Sequence, residues 1–154
     1  MSRGKSIQIP LFNGVIDRIS EGRPPIVDSR PDVLVSKTYR LSMPYDTDVL
    51  EIFLTVSDQD GRAFEFFLNC ANVEVSEYLA AVSLLGSRML RNGFAIETVA
   101  EELVAIASPH TGHMRKTGYC ASLSALIGQT LLEHAQNTQA EIPSDEQLPD
   151  STTG

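Results

Sequence analysis

Apolar and polar residues alternate in three short segments of the chain, which is the pattern of half-buried β-strands. The alternation covers residues 38–43, 49–56 and 63–69. Every second side chain in each segment is apolar, so these side chains share one face of a strand. Pro44 ends the first segment, because proline lacks the N–H that a strand needs. The pattern predicts a three-stranded antiparallel sheet, made of a strand at 38–43 and a hairpin at 49–69.

The turn of this hairpin gives an expected register. If both apolar faces point into one core, even-numbered residues must lie opposite even-numbered residues. Pairing Val56 with Phe64 leaves Gln59-Asp60-Gly61 as a three-residue loop. Such a loop needs a residue with positive φ, which Gly61 adopts without strain. The pattern and the turn therefore predict the same pairing.

This register also sets Phe53 opposite Phe67, on the face of the sheet that points away from the core. Two aromatic rings there can be a simple cross-strand stabiliser. They can also mark a docking surface, because exposed aromatic patches tend to be interfaces. The sequence leaves both interpretations open and makes Phe53 and Phe67 a candidate docking face.

After the sheet, apolar residues repeat every three or four positions, as in amphipathic helices. The repeats predict three helices, at about residues 75–92, 96–107 and 122–135. Asn92-Gly93 is a typical C-cap for the first helix, and Pro109 stops the second. The fold class is therefore α+β, with three helices packed against the antiparallel sheet.

The two flanking segments differ in composition from the predicted domain at residues 38–135. Residues 1–37 contain several prolines, which interrupt helices, so we expect an extended arm. Residues 136–154 carry acidic residues without bases and have little to bury. They predict a disordered acidic tail.

Composition restricts the classes of function. The net charge of −8 argues against a protein that binds duplex nucleic acid, which needs surplus Lys and Arg. No stretch approaches the roughly 20 apolar residues of a membrane-spanning helix. The basic residues 1–6 are not followed by the apolar run of a signal peptide, so we expect a cytoplasmic protein. Cys70 and Cys120 are expected to be free thiols.

The loop between the second and third predicted helices is rich in His, Gly and basic residues. Its candidate ligand or partner residues are His110, Gly112, His113, Arg115, Lys116, Gly118 and Tyr119. Backbone N–H groups at the glycines favour phosphate binding, although no Walker or dinucleotide pattern is present. A metal site at His110, His113 and Cys120 lacks an evident fourth ligand, so none is predicted. A solvated loop without a ligand is the simplest interpretation.

No catalytic set emerges elsewhere in the sequence. No Ser or Cys lies beside a His in a recognisable nucleophile motif. Glu101 and Glu102 are adjacent on a helix, so their side chains diverge rather than form a carboxylate pair. His134 lies near the end of a predicted helix, where the helix dipole accounts for a histidine.

Several short blocks occur in an order that is typical of one family. They are Thr38–Leu41, Gly61–Asn69, Glu101–Ile106, Pro109-x-x-Gly112, Arg115-Lys116-x-Gly118-Tyr119, and Ser122-Leu123 followed by Ile127-Gly128. Together they resemble the TSCPD domain over roughly Ser29 to His134. That domain lies at the C-terminal end of adenosylcobalamin-dependent (class II) ribonucleotide reductases. It also occurs as a separate small subunit where the reductase is split into two chains.

The motif that names the family, Thr-Ser-Cys-Pro-Asp, corresponds here to Asp28-Ser29-Arg30-Pro31-Asp32. Arg30 stands in place of the cysteine, so no thiol or metal role is carried over to that position. The radical-forming cysteine and the cobalamin and nucleotide sites of such reductases lie in a large barrel domain, which this sequence does not contain. The resemblance implies no catalytic residue and no cofactor site for this chain alone.

The resemblance therefore implies an accessory, non-catalytic chain in a complex that reduces ribonucleotides to deoxyribonucleotides. Its implied partner is the large catalytic subunit, and only that subunit would bind adenosylcobalamin. The resemblance does not decide whether this chain also forms a homo-oligomer. The alternative is a stand-alone binding or regulatory module of the same fold. It would recognise a protein partner, or a small phosphorylated ligand through Arg115 and Lys116.

Overall fold

A computed structural model describes residues 30–141 of the chain. The strands are β1 (Val35–Tyr45), β2 (Asp48–Gln59), β3 (Arg62–Cys70), β4 (His113–Arg115) and β5 (Gly118–Cys120). The helices are α1 (Val73–Arg91), α2 (Ile96–Val104) and α3 (Leu123–Glu141). Antiparallel strands form a sheet in the order β1-β2-β3, and β4 and β5 form a separate hairpin. The predicted α+β class, with its three-stranded sheet and three helices, is confirmed.

The domain extends further at both ends than the sequence predicts. β1 begins at Val35, so the last residues of the predicted arm belong to the sheet. α3 continues to Glu141, so residues 136–141 are helical and not disordered as predicted. The Nζ of Lys37 lies 2.7 and 2.8 Å from the two carboxylate oxygens of Glu141, which joins the last turn of α3 to β1. The rest of the predicted arm and tail, residues 1–29 and 142–154, lies outside the described residues.

The predicted register of the β2–β3 hairpin is wrong by two residues. Val56 lies opposite Phe66 rather than Phe64, and Phe53 lies opposite Asn69 rather than the predicted phenylalanine. Because the shift is even, each side chain keeps the face that was predicted for it. The assignment of apolar residues to the core is therefore unaffected.

A tight turn and a bulge together explain this register. The turn contains only Asp60 and Gly61, with φ of 53° and 74°, as in a type I′ turn. A two-residue turn by itself would place even residues opposite odd ones. The register shifts between Ser57 and Asp58, where Phe64 is the extra residue of β3. The bulge restores even-with-even pairing, so that both apolar faces reach the same core.

The inner face of the sheet packs against the helices in one hydrophobic core. Helix α1 contacts β3, and α2 packs against α3. The large apolar side chains that are almost completely buried come from both layers: Met43, Ile52, Leu54, Val56, Phe66, Leu79, Leu126, Ile127 and Leu131. The core therefore depends on the contact between the sheet and helices α1 and α3.

Two serines of α1 bond to three backbone groups at the edge of strand β3. The Oγ of Ser87 accepts from the Phe66 N–H at 3.0 Å and donates to the Phe66 carbonyl at 2.8 Å. The Oγ of Ser83 accepts from the Leu68 N–H at 2.9 Å. An edge strand otherwise presents unpaired backbone groups that can pair with another chain. Helix α1 therefore covers the part of this edge at Phe66 and Leu68.

Gly86 allows α1 to approach β3 this closely. A Cβ added at Gly86 would lie 2.3 Å from the Cζ of Phe66, far inside van der Waals contact. The ring of Phe66 is completely buried over this position. A larger residue would push α1 away from β3 and lengthen the serine hydrogen bonds.

We expect Ser87→Ala to lower the free energy of unfolding by about 2–3 kcal/mol, because two buried backbone groups lose their partner. Ser76→Ala is the matched control, since Ser76 is exposed and bonds only to its own helix at the Val73 carbonyl. The control should change stability by less than about 0.5 kcal/mol. Urea unfolding measures both, and equal effects would contradict a special role for Ser87.

Candidate functional site

The outer face of the sheet, which points away from the helices, carries both residues of the candidate docking face. Phe53 is 43% exposed and Phe67 is 47% exposed. Phe67 lies opposite Thr55, so the two phenylalanines are diagonal neighbours and do not face each other directly. Diagonal neighbours on adjacent strands are about 7–8 Å apart, within reach of aromatic side chains. The structure therefore places both rings in one exposed patch.

Polar residues on this face are paired with each other across β1 and β2. The pairs are Ser36 with Ser57 (Oγ–Oγ 2.8 Å), Thr38 with Thr55 (Oγ1–Oγ1 2.9 Å), and Arg40 with Glu51 in a salt bridge. A polar group that already has a partner costs less to remove from water than a free one. A second protein can therefore cover this face and bury the two rings without leaving these groups unsatisfied.

The candidate loop at residues 109–120 is a small β-hairpin rather than an irregular loop. His113 lies opposite Cys120, and Arg115 lies opposite Gly118. The side chain of Tyr119 folds back over Gly112, where an added Cβ would lie 2.2 Å from the phenol oxygen. Strands of three residues are too short for an alternating pattern to predict, which is why the hairpin was missed.

The basic and histidine side chains at this hairpin have different surroundings. The guanidinium of Arg115 donates to the Oε1 of Gln129 in α3 at 3.0 Å. Lys116 is exposed in the turn, and His110 is exposed before the hairpin. The Nδ1 of His113 lies 3.1 Å from the Thr111 carbonyl. Arg115 is therefore tied to α3, whereas Lys116 is open to solvent.

His134 is buried and hydrogen-bonded, so the helix-dipole interpretation of this residue is wrong. It is only 1% exposed. Its Nδ1 lies 2.8 Å from the hydroxyl of Tyr39 on β1, and its Nε2 lies 3.0 Å from both carboxylate oxygens of Asp58 on β2. A carboxylate only accepts, so in the neutral ring Nε2 donates to Asp58 and Nδ1 accepts from Tyr39. His134 therefore ties α3 to two strands.

Tyr39 is suited to be the donor in this network. Removal from water raises the pKa of its phenol above the ordinary value. The hydroxyl therefore stays protonated through the neutral range and donates a hydrogen bond to the Nδ1 of His134. Residues 39, 58 and 134 are far apart in the sequence, so no spacing in the chain could have predicted this contact.

A cavity of about 210 Å³ lies beside this network, between the β2–β3 turn, the α1–α2 connection and the second half of α3. Asp58, Arg62, Glu97 and His134 line it. Sites for drug-sized ligands usually measure about 300–1,000 Å³. The Nε2 of His134 already donates to Asp58, so the network serves to hold α3 on the sheet.

Two classes of site are missing from the part of the chain that the structure describes. Within residues 30–141, no three His, Cys, Asp or Glu side chains come together in a way that could hold a metal ion. Cys120 is buried, and its thiol donates to the Ser122 carbonyl at 3.2 Å. The helices among these residues include none that is long and apolar enough to cross a membrane.

The family model of the TSCPD domain matches residues 32–135, well over half of the chain. The chain belongs to the TSCPD domain family. This family is linked to ribonucleotide reductases. No curated protein and no solved structure matches the chain.

Arg30, the residue of this TSCPD chain that stands in place of the motif cysteine, forms an ion pair. Its Nε lies 2.7 Å from the Oε1 of Glu65 on β3, a carboxylate that is 1% exposed. Arg91 at the end of α1 lies 4.0 Å from the other carboxylate oxygen. A buried charged group is costly unless it is paired and hydrogen-bonded. Arg30 therefore fastens the segment before β1 to the far strand of the sheet.

We expect Tyr39→Phe to lower the free energy of unfolding by about 1–2 kcal/mol, because the buried Nδ1 of His134 loses its donor. Tyr45→Phe is the control, since Tyr45 is another half-buried tyrosine of β1 outside this network. It should change stability by less than about 0.5 kcal/mol. Denaturant unfolding compares the two, and a Tyr39→Phe variant as stable as the parent would exclude a structural role for the hydroxyl.

Proposed function

We propose that this TSCPD-domain chain is an accessory, non-catalytic subunit of an adenosylcobalamin-dependent ribonucleotide reductase. In that complex it supports the reduction of ribonucleotides to deoxyribonucleotides. Membership of the TSCPD family over residues 32–135 is the observation that carries the proposal. The structure adds that Phe53 and Phe67, which are 43% and 47% exposed, lie on a sheet face rather than in a cleft.

In this proposal the outer face docks on the catalytic chain, with Phe53 and Phe67 at the centre of the contact. Complete burial of a phenylalanine side chain contributes about 1.5–3 kcal/mol. Each ring is a little under half exposed, so each supplies part of that amount. Aromatic residues at the centre of an interface, surrounded by polar contacts that exclude water, typically dominate its binding energy. The paired Ser, Thr and Arg–Glu side chains provide such a surround.

The chemistry of the reaction is assigned to the partner chain. The cavity beside His134 measures about 210 Å³, and a more open one between the β1–β2 turn and the start of α1 measures about 650 Å³. In this proposal neither is a cofactor site, because the resemblance to the family implies that adenosylcobalamin and the ribonucleotide bind to the catalytic subunit. This chain contributes a docking surface and acts on the reaction through the complex.

We expect the double variant Phe53→Ser, Phe67→Ser to weaken binding to the large reductase chain of the same genome at least about tenfold, because both central rings are lost. The matched control is Leu84→Ser, Leu85→Ser, which removes two side chains that are 65% and 68% exposed on α1. The control should bind like the parent chain. Co-expression followed by pull-down and titration measures the affinities.

Turnover by the large chain, measured with and without this chain, gives the second test of the proposal. Turnover or its nucleotide regulation should change when the complex forms, and the double phenylalanine variant should abolish that change. No association and no effect on turnover would refute the accessory role. Nucleotide binding by this chain alone, lost in Lys116→Ala, would favour the stand-alone module instead.

A further inference from the structure

The hydrogen bonds of Ser87 show in which direction the backbone N–H and carbonyl groups of each strand point. Both the N–H and the carbonyl of Phe66 bond to Ser87 and so point away from β2. In an antiparallel ladder, opposed residues either exchange both hydrogen bonds or exchange none. Val56, opposite Phe66, therefore belongs to a pair without mutual hydrogen bonds, and its own N–H and carbonyl point toward β1.

The alternation of bonded and non-bonded pairs also gives the directions of the backbone groups in β1. Lys37, Tyr39 and Leu41 lie opposite Val56, Leu54 and Ile52 and use their backbone groups to bond to β2. The N–H and carbonyl groups of the intervening residues point to the other side of β1, away from the sheet. These residues are Ser36, Thr38, Arg40 and Ser42, and all four are exposed.

The two edges of the sheet therefore differ. Ser83 and Ser87 bond to three backbone groups at the β3 edge, whereas within residues 30–141 no backbone group outside β2 bonds to the backbone of β1. An open edge with a row of unpaired donors and acceptors is a template for another strand. The β1 edge offers four N–H groups before Pro44, which has none.

The charges on β1 do not oppose the approach of a second identical strand. Arg40 forms a salt bridge with Glu51, and Lys37 forms one with Glu141. Both cations of β1 therefore have a carboxylate partner within their own chain. Free lysine or arginine side chains commonly protect a long strand edge against pairing with another chain. On β1 the charges of these side chains are neutralised by their carboxylate partners.

We infer that β1 pairs antiparallel with β1 of a second copy of this chain, around a two-fold axis at Tyr39. Hydrogen-bonded residues must both point outward, so even residues face even residues. An axis at Tyr39 places Thr38 opposite Arg40 of the second copy and Ser36 opposite Ser42 of the second copy. All four N–H groups then find a carbonyl. An axis at Arg40 would oppose two guanidinium groups and would use Pro44.

This pairing gives a continuous six-stranded sheet across the dimer, since each copy contributes three strands. A two-fold axis perpendicular to the sheet keeps both outer faces on the same side. The patches at Phe53 and Phe67 of the two copies then belong to one surface. The dimer does not depend on the proposed function, because it uses β1 and not the phenylalanines.

Amide hydrogen exchange of the full chain, combined with sedimentation over a range of concentrations, tests the dimer. In the monomer, Tyr39 and Leu41 should be protected while Thr38 and Arg40 exchange freely. In the dimer, Thr38 and Arg40 should exchange at least about tenfold more slowly, and dilution should restore the alternation. A monomer at all concentrations, or a dimer whose Thr38 and Arg40 amides exchange freely, would overturn the inference. Protection that persists in the monomer would assign the edge to a segment of the same chain, and would overturn it too.

Thr38→Pro gives the matched variant test, because proline is tolerated where a strand N–H points outward but cannot donate across the new interface. It should raise the dissociation constant of the dimer at least about tenfold. Thr38→Ala is the control, since it also removes the Thr55 contact but keeps the N–H, and it should dimerise normally. Unchanged dimerisation of a folded Thr38→Pro variant would place the interface elsewhere. If Thr38→Pro does not fold, the exchange pattern of the parent chain decides alone.

Discussion

The contact between α1 and the edge of β3 is the constraint on which the rest of the sheet depends. Ser87 occupies both backbone groups of Phe66, and Ser83 occupies the N–H of Leu68. Most helices in α+β folds cover only the face of a sheet, but α1 also bonds to backbone groups at its edge. In a sheet of only three strands, two strands are edge strands with unpaired backbone groups. The serines of α1 reduce the number of unpaired groups on one edge without an additional strand.

The alternation along β1 separates side chains that hold the fold together from side chains on the surface. Because strand residues alternate between faces, Tyr39 reaches the buried His134 while Thr38 and Arg40 stay on the outer face. The structural network and the exposed surface therefore come from neighbouring residues with opposite orientations. A change of one residue in the register would exchange the two sets and lose both.

The sequence predicted which elements form and which faces are buried, because strand and helix periods are visible over several residues. It therefore placed Phe53 and Phe67 on the exposed face. It did not predict the register. The type I′ turn at Asp60-Gly61 and the bulge at Phe64 each shift the pairing by one residue, so together they leave every side chain on its predicted face. The β4–β5 hairpin is too short to show a period. The contact of His134 with Tyr39 and Asp58 joins three distant parts of the chain and has no local signal.

Several buried polar groups of this domain take part in its own structure. His134 is bonded to both Tyr39 and Asp58, and Glu65 is held by Arg30. An acid–base catalyst needs a group within hydrogen-bond reach of a substrate atom. His134 and Asp58 face each other inside the fold, whereas the buried Nε2 of His113 has no hydrogen-bond partner among the described residues. The exposed surface includes the pair of aromatic rings on the sheet and the open edge of β1. Features of this kind are typical of surfaces that bind other polypeptides rather than small substrates. This part of the surface therefore agrees with a subunit that acts by assembly.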